Sequence, residues 1–218
     1  YESAIEVLNK LISHRGDSNY APQALYMKAQ IMETTMMCEP IEIVKIYKEL
    51  ERRGGTVYSV EAYLGVMRNT PKASEQLDYA QKLLSLNGLT TEQQEEARYY
   101  RAKASLEKKD KTQAESDLKE LTKNVKSLFG AKAAVELGEL YLADARLSDA
   151  ESLLVEFTDE GTPHQYWLAR GFIVLADVYA AQGKTSLAKE YVKSLRDNYP
   201  GSEPDIHDMI NQRLKNYK

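Results

Sequence analysis

The chain has 218 residues, 43% hydrophobic and 28% charged, and its 33 acidic and 29 basic side chains leave a formal charge of −4. So slight a charge carries no electrostatic footprint for a polyanion and disfavours nucleic acid as a partner. Six Pro and 11 Gly are too few for a turn-dense β fold. No apolar run approaches the roughly 20 residues of a membrane span, and a lone Cys38 forbids an intrachain disulfide.

An internal period dominates the sequence. Leu137, Gly138, Tyr141, Ala150, Leu154 and Phe157 recur 38 positions later as Leu175, Ala176, Tyr179, Ala188, Val192 and Leu195. Ala102, Ser105, Ala114, Leu118 and Leu121 precede Gly138, Tyr141, Ala150, Leu154 and Phe157 by 36. In chain order, residues 1–15 are predicted to form the second helix of a truncated repeat, with Ala4/Leu8/Leu11 as its apolar stripe. Helix pairs are predicted over 20–53, 57–87, 91–126, 130–160 and 164–198, and a closing helix over 203–217. The second helix of each pair carries the same i, i+4, i+7 stripe: Ile43/Tyr47/Leu50, Tyr79/Leu83/Leu86, Ala114/Leu118/Leu121, Ala150/Leu154/Phe157 and Ala188/Val192/Leu195. The first helix of each offers a small residue, respectively Ala29, Gly65, Ala102, Gly138 and Ala176, where its partner can approach closely.

Turn clusters bound these units at Gly16-Asp17-Ser18-Asn19, Gly54-Gly55-Thr56, Asn87-Gly88-Leu89-Thr90, Gly161-Thr162-Pro163 and Tyr199-Pro200-Gly201. Thr91 and Gln94 have the spacing of a capping box. Helices of this length are marginal in isolation, so they must stack, and the stack is predicted as an all-α array in one domain, residues 1–218. In the closing helix, Ile206, Ile210, Leu214 and Tyr217 share a face. A start at Tyr1 with no initiator Met reads as a C-terminal fragment of a longer protein.

No catalytic constellation stands out, so no enzyme, metal or cofactor is expected. His207 with Asp205 and Asp208 reads as a solvated face. Trp167 reads as a packing residue, and Cys38, beside Met36 and Met37, as an inert thiol with no neighbouring His or Lys to activate it. Gly54-Gly55-Thr56 lacks the Lys and the preceding strand of a phosphate loop. Lys119, Lys123, Lys126 and Lys132 read as a solvated basic face.

These residues resemble the tetratricopeptide repeat. One unit has Leu137-Gly138, Tyr141, Ala150, Leu154, Phe157 and Pro163; the next has Phe172, Leu175-Ala176, Tyr179, Gly183, Ala188, Val192, Leu195 and Pro200. The resemblance covers nearly the whole chain and weakens towards the N-terminus, where Lys28 and Arg101 replace the Leu, and Arg68 and Ser105 replace the Tyr. Asn19-Tyr20-Ala21-Pro22-Gln23-Ala24-Leu25-Tyr26 and Asn198-Tyr199-Pro200-Gly201-Ser202 are similar to phrases in bacterial cell-envelope repeat proteins of the outer-membrane assembly and Tol-associated types. That likeness implies a periplasmic or envelope location for a parent carrying a signal peptide.

The family resemblance implies a right-handed α-solenoid of antiparallel helix pairs. Its first helices would line a concave groove for a protein or peptide. Transferred by register, the groove positions are Tyr26, Gln30 and Glu33; Ala62, Val66 and Asn69; Tyr99, Lys103 and Leu106; Lys132, Val135 and Glu139; Arg170, Ile173 and Asp177. Tyr26, Gln30, Tyr99, Lys103, Lys132, Glu139, Arg170 and Asp177 are the expected partner-binding residues, with Tyr99, Lys132 and Arg170 foremost. The expected role is a non-catalytic interaction scaffold that does not itself enter a membrane. The alternative is an accessory region of a larger enzyme or glycan-handling envelope assembly whose active domain lies outside this chain.

Overall fold

The computed structural model describes residues 1–13, 20–36 and 38–217. Among them it has twelve α-helices and no strand. Helix α1 is Glu2–Ser13, followed by α2 Ala21–Thr35, α3 Pro40–Gly54, α4 Ser59–Asn69, α5 Ala73–Leu84 and α6 Thr91–Glu107. Then come α7 Lys111–Leu121, α8 Leu128–Ala143, α9 Leu147–Glu160, α10 Gln165–Ala181, α11 Thr185–Asn198 and α12 Pro204–Asn216. The fold class is the all-α helical repeat that the period predicts. The end of the first predicted helix at residues 14–15, the Gly16–Asn19 turn and Met37 lie outside the described residues. Residues 1–114 and 115–218 form two compact units, and the division falls inside α7.

In the first unit, consecutive helices from α1 to α6 pack on one another, and α4 touches both α2 and α6. The contact between α3 and α4 is set by Gly65, whose missing Cβ leaves room for the buried Tyr47 ring. Ala29, Ala62, Met67, Leu50, Leu83 and Ala97 complete a core with no exposed surface. The stripe of α1 is only partly covered: Leu8 is buried, whereas Ala4 and Leu11 are exposed. The capping box of α6 sits one residue earlier than its sequence spacing suggests. Thr90 is extended and accepts from Gln93 N at 3.2 Å, while the Gln93 side chain accepts from Thr90 N at 3.0 Å. Tandem Thr and tandem Gln make the two registers equivalent in sequence. Backbone geometry decides between them, because Thr91 is already helical.

In the second unit, α8 pairs with α9, α10 packs on α8, α9 and α11, and α12 closes against α10 and α11. A Cβ on Gly138 would stand 2.9 Å from the Leu154 methyls, and one on Gly171 would stand 2.6 Å from the Phe157 ring. Helix α9 thus presses Leu154 into its partner α8 and Phe157 into the following α10. Both side chains are buried. The Tyr141 ring is buried and its hydroxyl donates to Glu115 at 3.1 Å.

The turn between paired helices repeats in detail. Lys109, Ala145 and Gly183 are left-handed, with φ of 63°, 56° and 80°. The next N–H in each case reaches back five residues: Asp110 to Ser105 O, Arg146 to Tyr141 O and Lys184 to Tyr179 O, all at 2.8 Å. That bond satisfies a carbonyl at the helix end. Residues at such a turn also clamp the preceding pair. Arg146 donates to Glu115 at 2.9 Å; one repeat later Gln182 and Lys184 donate to Glu151 at 2.6 and 3.4 Å. Hydrogen bonds from Lys119 and Arg146 hold the Glu115 carboxyl down at about 2, below its ordinary 4.5.

Two outcomes follow from this packing. Gly138→Leu should cost about 1–3 kcal/mol of unfolding free energy by overpacking against Leu154, whereas Ser152→Leu on the exposed side of α9 should be near neutral, as read from urea midpoints. Because its pKa is depressed, Glu115 contributes stability above its ordinary value and loses it as pH falls. Glu115→Gln should therefore lower the urea midpoint at pH 7, and the gap to the parent chain should close between pH 4.5 and about 2.

Candidate partner-binding face

The first helices of successive pairs are joined by polar side chains. In the first unit, Glu33 of α2 accepts from the Tyr47 hydroxyl at 2.8 Å and from the Asn69 amide of α4 at 2.5 Å. Arg68 of α4 then grips Glu96 of α6 with two bonds of 2.6 and 2.5 Å. Glu96 is buried, so this two-pronged pairing replaces its lost hydration. Burial, and then the Glu96 carboxylate, raise the Tyr100 pKa, and the bond to Glu96 raises that of Arg68.

The expected positions divide by exposure. Tyr26 is half-buried and accepts from the exposed Gln30 amide at 2.9 Å. Tyr99 is half-buried with its ring 5.8 Å from Tyr100, and Lys103 is half-buried on the same helix. Ala62, Val66 and Val135 are fully buried and Ile173 is 1% exposed, so these four belong to the core. The register transfer treated every such position as surface. A first helix packs on its own partner and on the preceding pair, so its exposed arc is narrower than that transfer assumes.

In the second unit, α8, α10 and α12 enclose a cleft of about 300 Å³. Leu142, Ala143, Ile173, Val174 and Met209 give it an apolar lining, and Glu139, Arg170, Asp177 and Arg213 give it a charged one. Arg170 donates to Glu139 at 2.6 Å and lies 3.4 Å from the Tyr166 hydroxyl, which itself donates to Asp205 at 2.7 Å. The Arg170 Nε is buried with no hydrogen-bond partner among the described residues. Asp177 accepts from Arg213 at 2.8, 3.0 and 2.6 Å and from the Tyr217 hydroxyl. Burial and this carboxylate push the Tyr217 pKa upward. Beyond the cleft, two cations lie near the Trp167 ring, Lys132 at 5.7 Å and Arg170 at 6.0 Å, with Tyr166 edge-on at 5.1 Å.

Three of the expected residues, Glu139, Arg170 and Asp177, therefore meet in one cleft. Sequence reasoning missed Met209, Arg213 and Tyr217 of the closing segment. The signal was there: Arg213 follows Asp177 by 36, the repeat interval, so α12 continues the register of first helices. The other chemical candidates are engaged structurally. His207 lies 3.1 Å from the Gly201 carbonyl, and burial with Glu42 and Glu39 raises the Cys38 pKa. Among the described residues no His, Cys, Asp and Glu cluster could hold a metal, and no helix is long and apolar enough to cross a membrane.

The family model of the tetratricopeptide repeat matches residues 175–202, which span most of α10's second half, all of α11 and the turn that follows. No curated protein matches the sequence. Among solved structures, the crystal structure of BtubC (BKLC) from P. vanneervenii is similar with a TM-score of 0.62 and 18% identity, over 93% of this chain and 91% of that one. A tetratricopeptide repeat protein from Parabacteroides merdae is similar with a TM-score of 0.51 and 14% identity, over 98% and 92%. At such identities the likeness is one of fold, and it agrees with the helical repeat described above.

Removing the Asp177 carboxylate would leave the Arg213 guanidinium without its counter-charge. Asp177→Ala should cost about 2 kcal/mol of stability and strip hydrogen-exchange protection from α12 before the rest of the unit.

Proposed function

We propose that this chain is a non-catalytic scaffold that binds a protein or peptide on the faces of its first helices, in a bacterial cell envelope. Tetratricopeptide repeats generally mediate protein–protein interaction, and the match at residues 175–202 lies in the unit that carries the cleft. One observation bears most of the weight. The cleft between α8, α10 and α12 combines an apolar lining with two acid–guanidinium pairs, Arg170 with Glu139 and Arg213 with Asp177. Such a surface offers an apolar anchor site and directional charged groups to an incoming chain, the combination from which interface hot spots are made. Lys132 and Trp167 extend it along the same two helices. The envelope reading rests on the phrases around Tyr20 and Tyr199.

The test is capture from an extract of the cells that produce the protein, using the parent chain and Arg170→Ala in parallel. A specific partner should be retained by the parent chain and bind at least about tenfold more weakly to the variant. Equal retention by both chains would rule out the cleft. Turnover of a small molecule by the isolated chain, with no protein retained, would rule out the scaffold.

A further inference from the structure

The first and the last helix are finished differently. Helix α12 exposes no large hydrophobic side chain, and the exposed Gln212 stands 36 residues after Ala176, where a first helix carries its small residue. Its outer side is polar and has no socket. Helix α1 is the opposite case. Val7 is 56% and Leu11 41% exposed, and with the exposed Ala4 they form an i, i+3, i+7 stripe. The side that packs on the chain is another one, made by the buried Leu8 and the half-buried Ile5 and Ile12, one residue and so about 100° further round the helix. Helix α1 thus has two apolar sides, of which one is covered.

The other second helices show what covers the open side. Helices α3, α5, α9 and α11 each pack on two first helices, the one before and the one after, whereas α1 packs on one, α2. At the place of Ala4 they carry Ile43, Tyr79, Ala150 and Ala188, all buried. At the place of Leu11, Leu50 and Phe157 are buried and Leu86 and Leu195 half-buried. In the α8–α9 pair, Leu154, which corresponds to Leu8, lies against Gly138 of the first helix. The interval is regular as well. Ala29, Gly65, Ala102, Gly138 and Ala176 stand 12 or 14 positions ahead of the first stripe residue of the following second helix.

We infer that the open side of α1 is the seat of a further first helix, contributed by residues that precede Tyr1 in the protein as the cell makes it. That helix runs antiparallel to α1, carries Gly or Ala 12 or 14 positions ahead of Ala4, and lays its apolar side on Ala4, Val7 and Leu11. The seam is the one that joins the chain's other pairs, carried one helix further. A second copy docking through α12 does not fit, because that helix offers neither an exposed apolar side nor a small residue at the socket position.

Hydrogen exchange tests this, with the protein isolated from the cells that produce it beside the 218-residue chain. The α1 amides of the isolated protein should exchange about tenfold or more slowly. Val7→Glu should remove that difference and leave the 218-residue chain folded, because Val7 is exposed there. A second measurement supplies the helix directly. Residues 128–146, which are α8 and its turn, fused ahead of Tyr1 place Gly138 12 positions before Ala4. This fusion should slow exchange in α1, and the same fusion with Gly138→Leu should slow it less. A cellular protein that begins at Tyr1, equal α1 exchange in the two proteins, or equal protection by the two fusions would each overturn the inference. So would a 218-residue chain that sediments as a dimer with α1 protected, since a second copy would then be the occupant.

Discussion

Everything in this fold depends on how closely one helix can lie against the next. At Gly138 and Gly65 the backbone of a first helix meets the Leu154 methyls or the Tyr47 ring with no Cβ between them. Gly171 does the same one layer on, where α10 receives Phe157. Helices of 11 to 17 residues have little stability of their own. It is burial along these seams that keeps them folded, and the seams carry it because the knob on one side is large and the socket on the other has no side chain.

Polar side chains then fix what apolar packing leaves loose. A helix pair bound only by methyl groups can slide or roll, whereas Arg68 on Glu96 and Arg213 on Asp177 hold one first helix to the next at a set height. The turns supply a parallel set, in which Arg146 reaches Glu115 and Gln182 reaches Glu151. Most of these groups are only partly buried, so each pair contributes modestly to stability. Their larger effect is on orientation, because a planar guanidinium accepts a carboxylate in few geometries. The same groups are the ones a partner would meet. Arg170 illustrates this, since it holds Glu139 at the wall of the cleft between α8, α10 and α12.

Two recesses on α10 lie between the helix and different members of its four neighbours, α8, α9, α11 and α12. One flank meets α8 and α12 and carries the charged groups; another meets α11 and carries Leu168 and Phe172. Where a repeat keeps small residues, as at Gly130 and Ala134, those positions are buried. Bulk at the equivalent places of the last pair is accompanied by a trough lined with rings.

The amino-acid sequence by itself determined the helices and the seam at Gly138, whereas Gly65 receives Tyr47 of the preceding pair and not its own partner α5. Six apolar matches at one interval and a recurring small residue are local, periodic signals, and the helix limits fall within a few residues of them. Only the tertiary structure decided the rest. Whether Val66, Val135 or Ile173 is surface or core depends on neighbours contributed by another pair, and no spacing within one helix records that. The Thr90 cap turned on one residue's backbone angles, and Gly171 became a seam only once Phe157 lay across it. The clefts belong to the same class. They are spaces between helices, made by side chains far apart in sequence such as Arg170 and Arg213, and a space has no residue of its own to betray it.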